Sequence, residues 1–232
     1  MKISTPTALP LSRTRHIHQF IFVGVALFVA LIAILVVKVG SDQSSSGTGF
    51  IVSRQGHVIT SFKTISDAQN VIVYYDGEGI RGEVVARDKA NDLIILKFNR
   101  VTMPIKFSKY SAKKGEELLV VGYTGENDIL IESKATFGHI SKVTGNEGDI
   151  RFYSIDADLE NADYGSPIYN MSGNLIGMTT ENPNSGMKIA HIKAMLDTYS
   201  VGYQESVHPK PMEGSEIVRR SKTNVVRLIA HQ

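Results

Sequence analysis

The chain has 232 residues, of which 42% are hydrophobic and 21% charged, a balance that supports one or two domains with a proper core and excludes a disordered chain. A net charge of +2 gives no reason to invoke nucleic acid. With no cysteine, disulfides, thiolate nucleophiles and cysteine-based metal sites are all excluded.

Residues 1–19 carry Lys2, Arg13 and Arg15 and no acidic residue. Residues 20–37 (FIFVGVALFVALIAILVV) are apolar without a charge, and Val39 and Gly40 lie just beyond Lys38. At 1.5 Å per residue such a helix spans roughly 27–30 Å, about one hydrocarbon core. A cleavable signal peptide is the alternative, but its apolar region is shorter, and Lys38-Val39-Gly40-Ser41 makes a poor cleavage site. The expectation is one uncleaved transmembrane helix over 20–39. The basic flank places residues 1–19 in the cytoplasm and the rest across the inner membrane, in the periplasm or the lumen of an inner-membrane-derived organelle.

Residues 40–46 read as a polar linker, Ser-rich and without apolar periodicity. Short β runs then follow at close spacing: 50–52, 57–60, 71–75, 83–86, 93–98, 117–122 and 175–178. Strands at this spacing without long helical patterns between them predict an all-β sandwich or barrel over 47–203. Residues 192–199 have helical spacing and close the domain as a short helix. Residues 204–232 read as a mixed-charge tail containing Pro209, Pro211 and Arg219-Arg220, with Val218, Val225, Leu228 and Ile229 on one face of a terminal helix. Such a basic tail is either solvated or set against anionic lipid headgroups.

Several motifs then occur in a fixed order. Gly47-Thr48-Gly49 leads a strand, and Gly56-His57-Val58-Ile59-Thr60 follows. Asp88-Lys89-Ala90-Asn91-Asp92-Leu93-Ile94-Ile95-Leu96-Lys97 comes next, then Lys114-Gly115-Glu116 with Val121-Gly122-Tyr123. Asp156-Ala157, Asn161-Ala162-Asp163-Tyr164-Gly165-Ser166-Pro167 and Gly173-Asn174-Leu175-Ile176-Gly177 complete the set. Over residues 47–195 this resembles the HtrA/Deg branch of trypsin-like serine proteases. The resemblance implies two packed six-stranded antiparallel β-barrels, preceded here by the transmembrane helix, with the active site in the cleft between the barrels. Two departures stand out. The segment that forms the first barrel's opening strand is short or absent, and too few residues follow 195 for a PDZ domain.

In that register the triad positions are Lys63 for the base, Asp92 for the carboxylate and Tyr164 for the nucleophile. A working triad needs a hydroxyl, an imidazole that accepts its proton near neutral pH, and a carboxylate that orients the ring. Lysine is protonated at neutral pH unless strongly desolvated, and an adjacent carboxylate holds it charged. The two are therefore expected to form a Lys63–Asp92 salt bridge. A phenol extends well beyond the place of a serine Oγ, fills the cleft, and is a poor nucleophile while neutral. In the oxyanion loop, Ala162 replaces a glycine whose freedom turns an N–H toward the developing charge, and Asp163 adds negative charge beside it. A Ser166–Lys63 dyad is the rearranged alternative, although Ser166 lies two residues beyond the nucleophile position and should point elsewhere.

The histidines His57, His139, His191, His208 and His231 are dispersed without short metal-ligand spacing. Magnetosome-associated relatives of this family have lost their triads and bind transition metal through histidines. By that resemblance His191, expected in the strand lining the cleft, is the candidate ligand, and otherwise no cofactor is expected. Three functions follow as expectations. The first is a membrane-anchored pseudoprotease that binds a protein partner, either an active HtrA-like homologue or another copy of itself. The second is a transition-metal-binding pseudoprotease of a metal-handling or biomineralisation system, and the third a weakly active serine endopeptidase with a rearranged site.

Overall fold

The computed structural model describes residues 44–66, 68, 70–123, 133–159, 163–182, 184–206 and 210–231. The apolar run at 20–39 and the basic segment before it lie outside the described residues. Among those described, no helix is long and apolar enough to cross a membrane.

Six strands close the first barrel: β1 (Ser44–Ile51), β2 (His57–Thr60), β3 (Asn70–Tyr75), β4 (Glu78–Asp88), β5 (Leu93–Phe98) and β14 (Val225–His231). All pair antiparallel in the order β1-β14-β3-β4-β5-β2. A second ring comprises β7 (Glu117–Tyr123), β8 (Ser133–Lys142), β9 (Phe152–Ala157), β10 (Pro167–Asn170), β11 (Leu175–Thr179) and β12 (Ser185–Lys188). It runs β10-β7-β8-β9-β12-β11 and closes through the β10–β11 pairing. Two three-residue strands, β6 (Lys106–Ser108) and β13 (Gln204–Ser206), extend β11 outward in parallel. Three α-helices, α1 (Phe62–Ile65), α2 (Ile189–Thr198) and α3 (Gly214–Ser221), and two 3-10 turns, Lys89–Asn91 and Asn146–Gly148, complete the described structure. The expected all-β double barrel is the fold observed.

Two barrels packed together bury both faces of the strands at their contact, which explains why those strands read as unbroken apolar runs. On β5, Ile94, Leu96 and Phe98 fill the first barrel with Val58, Val73 and Leu228. The alternate residues Leu93 and Ile95 point the other way, into a larger core shared with Phe107, Leu119, Val121 and Met178 of the second half. The second barrel has its own smaller core of Leu118, Val120, Ile140, Tyr153, Ile155, Ile168 and Ile176. Period-2 alternation therefore sorts residues between two apolar compartments here, instead of between core and water.

The largest correction concerns the C-terminus. The tail expected over 204–232 is built into the fold: α3 occupies 214–221, and β14 inserts between β1 and β3. Val226, Leu228 and Ala230 are fully buried in the first barrel. Val225, Leu228 and Ile229 thus lie on a strand and not on the expected helix. β14 also answers the missing opening strand, because it supplies the sixth stave from the far end of the chain. The expected linker is shortened at the same time: Ser44, Ser45 and Ser46 pair with His231, Ala230 and Ile229. Serines carry no strand signal of their own, and the partner strand, with Ser45 Oγ donating to the Thr64 carbonyl at 2.9 Å, imposes the conformation.

Candidate active site

Asp92 stands at the end of a short 3-10 turn in the left-handed region (φ 53°, ψ 43°), just before β5. Its carboxylate receives the Ser61 hydroxyl at 2.7 Å to Oδ1 and 2.8 Å to Oδ2, and the Lys63 backbone N–H at 3.0 Å. Ser61 is the N-cap of α1 and its Oγ also accepts from the Lys63 N–H at 3.0 Å. Burial pushes the Asp92 carboxyl above its ordinary value, and the hydrogen bonds from Ser61 and the Lys63 backbone only partly offset it.

The Lys63 side chain does not join this group. Its Nζ lies 3.5 Å from Glu181 Oε2, with the two side chains 60% and 63% exposed. The expected Lys63–Asp92 salt bridge is thus replaced: Ser61 occupies the carboxylate, and the ammonium keeps its hydration at the surface, which avoids the desolvation of a buried pair. Ser61 was not singled out by sequence, although its place at a helix start two residues before the base position is an N-cap signal.

Tyr164 is half-buried, and its carbonyl accepts the Thr64 hydroxyl at 3.3 Å, which ties the 163–167 loop to α1. Lys63, Asp92 and Tyr164 are thereby brought together around one short helix. Gly165 follows with φ +80°, and a Cβ there would run into the Thr48 carbonyl, Thr60 Oγ1 and the Ser61 N–H. That glycine is required by the contact between barrels, whatever stands at 164. Ser166 is fully buried and its Oγ has no hydrogen-bond partner among the described residues. It packs where a Cβ on Gly122 would overlap it, so its hydroxyl faces β7 and not the cleft.

Asp163 also differs from expectation. Its carboxylate is buried, with Oδ2 3.9 Å from Lys134 Nζ on β8, so it turns inward to a cation instead of charging the oxyanion loop. Its carbonyl accepts from Thr179 Oγ1 and from the Ser166 N–H. Ala162 lies outside the described residues.

His191 sits in the first turn of α2, so the expected cleft-lining strand is a helix start at that residue. It adds to the charge that lowers the Asp149 carboxyl, which Arg151 already clamps at 2.7–3.1 Å. His57 is held by Ser53 at 2.7 Å, His139 is exposed on β8, His231 ends β14, and His208 lies outside the described residues. Among the described residues no three His, Asp or Glu side chains converge on a point that could hold a metal ion.

A two-barrel fold in which Asp92, α1 and the 163–167 loop meet at the junction of the barrels has a clear counterpart. A profile of the family described as "Trypsin-like peptidase domain" matches residues 47–178. The chain belongs to this family. It is 25% identical over 197 residues to the uncharacterized protein y4bJ of Sinorhizobium fredii, covering 78% of this chain and 31% of that protein. It is 24% identical over 143 residues to a probable periplasmic serine endoprotease, DegP-like, of Pseudomonas fluorescens, covering 60% of this chain and 30% of that one. The chain therefore spans about a third of the length of these curated relatives. Among solved structures, the inactive form of the Rv3671c protease superposes with a TM-score of 0.55 at 25% identity, covering 67% of this chain and 87% of that one. Within the trypsin-like family the chain is of HtrA/Deg type.

Proposed function

We propose that this chain is a membrane-anchored, catalytically inactive HtrA-like domain that acts by binding protein. One observation carries the reading: the place of the base holds an exposed lysine paired to Glu181, and the place of the nucleophile holds Tyr164. The nearby alternative hydroxyl, Ser166, is sealed from solvent and is no candidate for attack on a peptide bond. The parts that survive are those the fold needs, such as Gly165 against Thr48 and Asp92 capping α1 through Ser61.

The apolar run at 20–39 with its basic flank supports an inner-membrane anchor with the domain outside the cytoplasm. The DegP-like relative's description as periplasmic points the same way. A partner from the same family, or a second copy of the chain, fits a domain that retains the fold and not the chemistry.

The test is hydrolysis of casein and of a fluorogenic peptide by the detergent-solubilised chain. No turnover is expected, and none is expected to be lost in Ser166→Ala. Turnover abolished by Ser166→Ala or Tyr164→Phe would overturn the reading. Lys63→His, Tyr164→Ser and Ala162→Gly combined probe whether the cleft still supports the chemistry once its groups are returned.

A further inference from the structure

Away from the triad positions, two adjoining cavities of ≈550 Å³ and ≈560 Å³ share Ser172, Asn174 and Ser206 and form one elongated groove. Neither shares a residue with the cleft described above. The first has an apolar floor of Ile105, Tyr169, Met212 and Ile217. Tyr169 is fixed there by its hydroxyl donating to Asn224 Oδ1 at 3.0 Å. Four cations surround that floor, Lys106, Lys210, Arg219 and Arg220, and among the described residues no carboxylate lines it. The two arginines share one acid, Glu216, at 2.7–2.8 Å. Lys106 and Lys210 are exposed and form no ion pair among the described residues. The second cavity adds Lys113 and Lys114 against a single acid, Glu116.

An apolar floor flanked by an excess of cations suits an amphipathic anion, and the elongated shape suits an extended chain more than a compact ligand.

We propose that this groove binds an extended acidic peptide segment of a partner protein, seating an apolar side chain on the Tyr169–Ile217 floor and carboxylates against Lys106, Lys210 and the arginines. The proposal deepens the noncatalytic binding reading and rests on it for its biological sense, but the two fail separately. The probe is a fluorescein-labelled decapeptide of alternating glutamate and leucine, titrated by fluorescence anisotropy against the solubilised full chain. Saturable binding that fades with added salt is expected. The double substitution Lys106→Glu/Lys210→Glu should weaken it about tenfold, the scale of two exposed attractions lost and made repulsive. Lys97→Glu/Lys142→Glu, with the same change in net charge elsewhere, should leave it unchanged. Absent binding, or equal loss in both double variants, overturns the proposal. So does the peptide being ignored while phosphatidylglycerol vesicles bind through Lys106 and Lys210. Casein turnover by the parent would sink the noncatalytic reading while leaving the groove result standing.

Discussion

Leu228→Ala is the sharpest test of the C-terminal strand's place in the fold. Leu228 is fully buried in the first barrel, and its Cδ1 lies against Gly49 of β1. It has Ile51, Val58, Val73 and Leu96 as neighbours in the same core. Truncating such a leucine costs its transfer free energy plus the cavity left behind, about 2–5 kcal/mol. A barrel closed on all sides collapses poorly around a void, which favours the upper part of that range. For a domain of this size each kcal/mol moves the melting temperature by about 2–4 °C, so a drop of about 5–20 °C is expected. The assay is thermal unfolding of the solubilised chain followed by far-UV circular dichroism. Lys222→Ala, at an exposed position just before the strand, serves as the control and should move stability by no more than about 0.5 kcal/mol. A Leu228→Ala melting temperature within about 1 °C of the parent would refute the reasoning, because a solvated tail would behave that way.

Three further outcomes follow from the candidate site and its surroundings. Gly122→Ala should destabilise by about 1–3 kcal/mol through overlap with Ser166, and Ser166→Gly in the same chain should recover most of that loss. Additive effects in denaturant titrations would contradict the contact. The raised Asp92 carboxyl makes the folded state bind the extra proton, so its contribution favours stability below the ordinary value of 3.8 and is lost as pH rises through the folded value. Asp92→Asn should therefore gain on the parent as pH rises through that window, and a difference in melting temperature that stays flat or shrinks would contradict it. Asp149, held down to about 2 by the Arg151 side chain, is the opposite case: its contribution is present above the ordinary value and lost as pH falls through about 2. In a carboxylate NMR titration, Arg151→Gln should move the Asp149 midpoint up toward 3.8, and no movement would mean the clamp is not what lowers it.

Arg151 also illustrates what a linear reading misses. Its Nη1 donates to Asn91 Oδ1 at 3.0 Å, which joins the second half to the turn that presents Asp92. The two residues are sixty positions apart and carry no mutual signal in the sequence. Ser61 is the counter-example, a local N-cap whose role is readable once the start of α1 is known.

The strand-rich fold, the order of the motifs and the presence of Lys63, Asp92 and Tyr164 within them are legible in the linear sequence. These depend on side-chain chemistry and short-range periodicity, which lie along the chain. Where those groups point depends on contacts between segments far apart in the chain. Lys63 turns to Glu181 because Ser61 already fills the Asp92 carboxylate, and Asp163 turns inward to Lys134. Tertiary structure also decided that a serine-rich stretch and a charged tail become neighbouring staves of one barrel. Each lacks a strand signal strong enough to be read alone, and each becomes a strand because pairing with the other satisfies its backbone and buries Val226, Leu228 and Ala230.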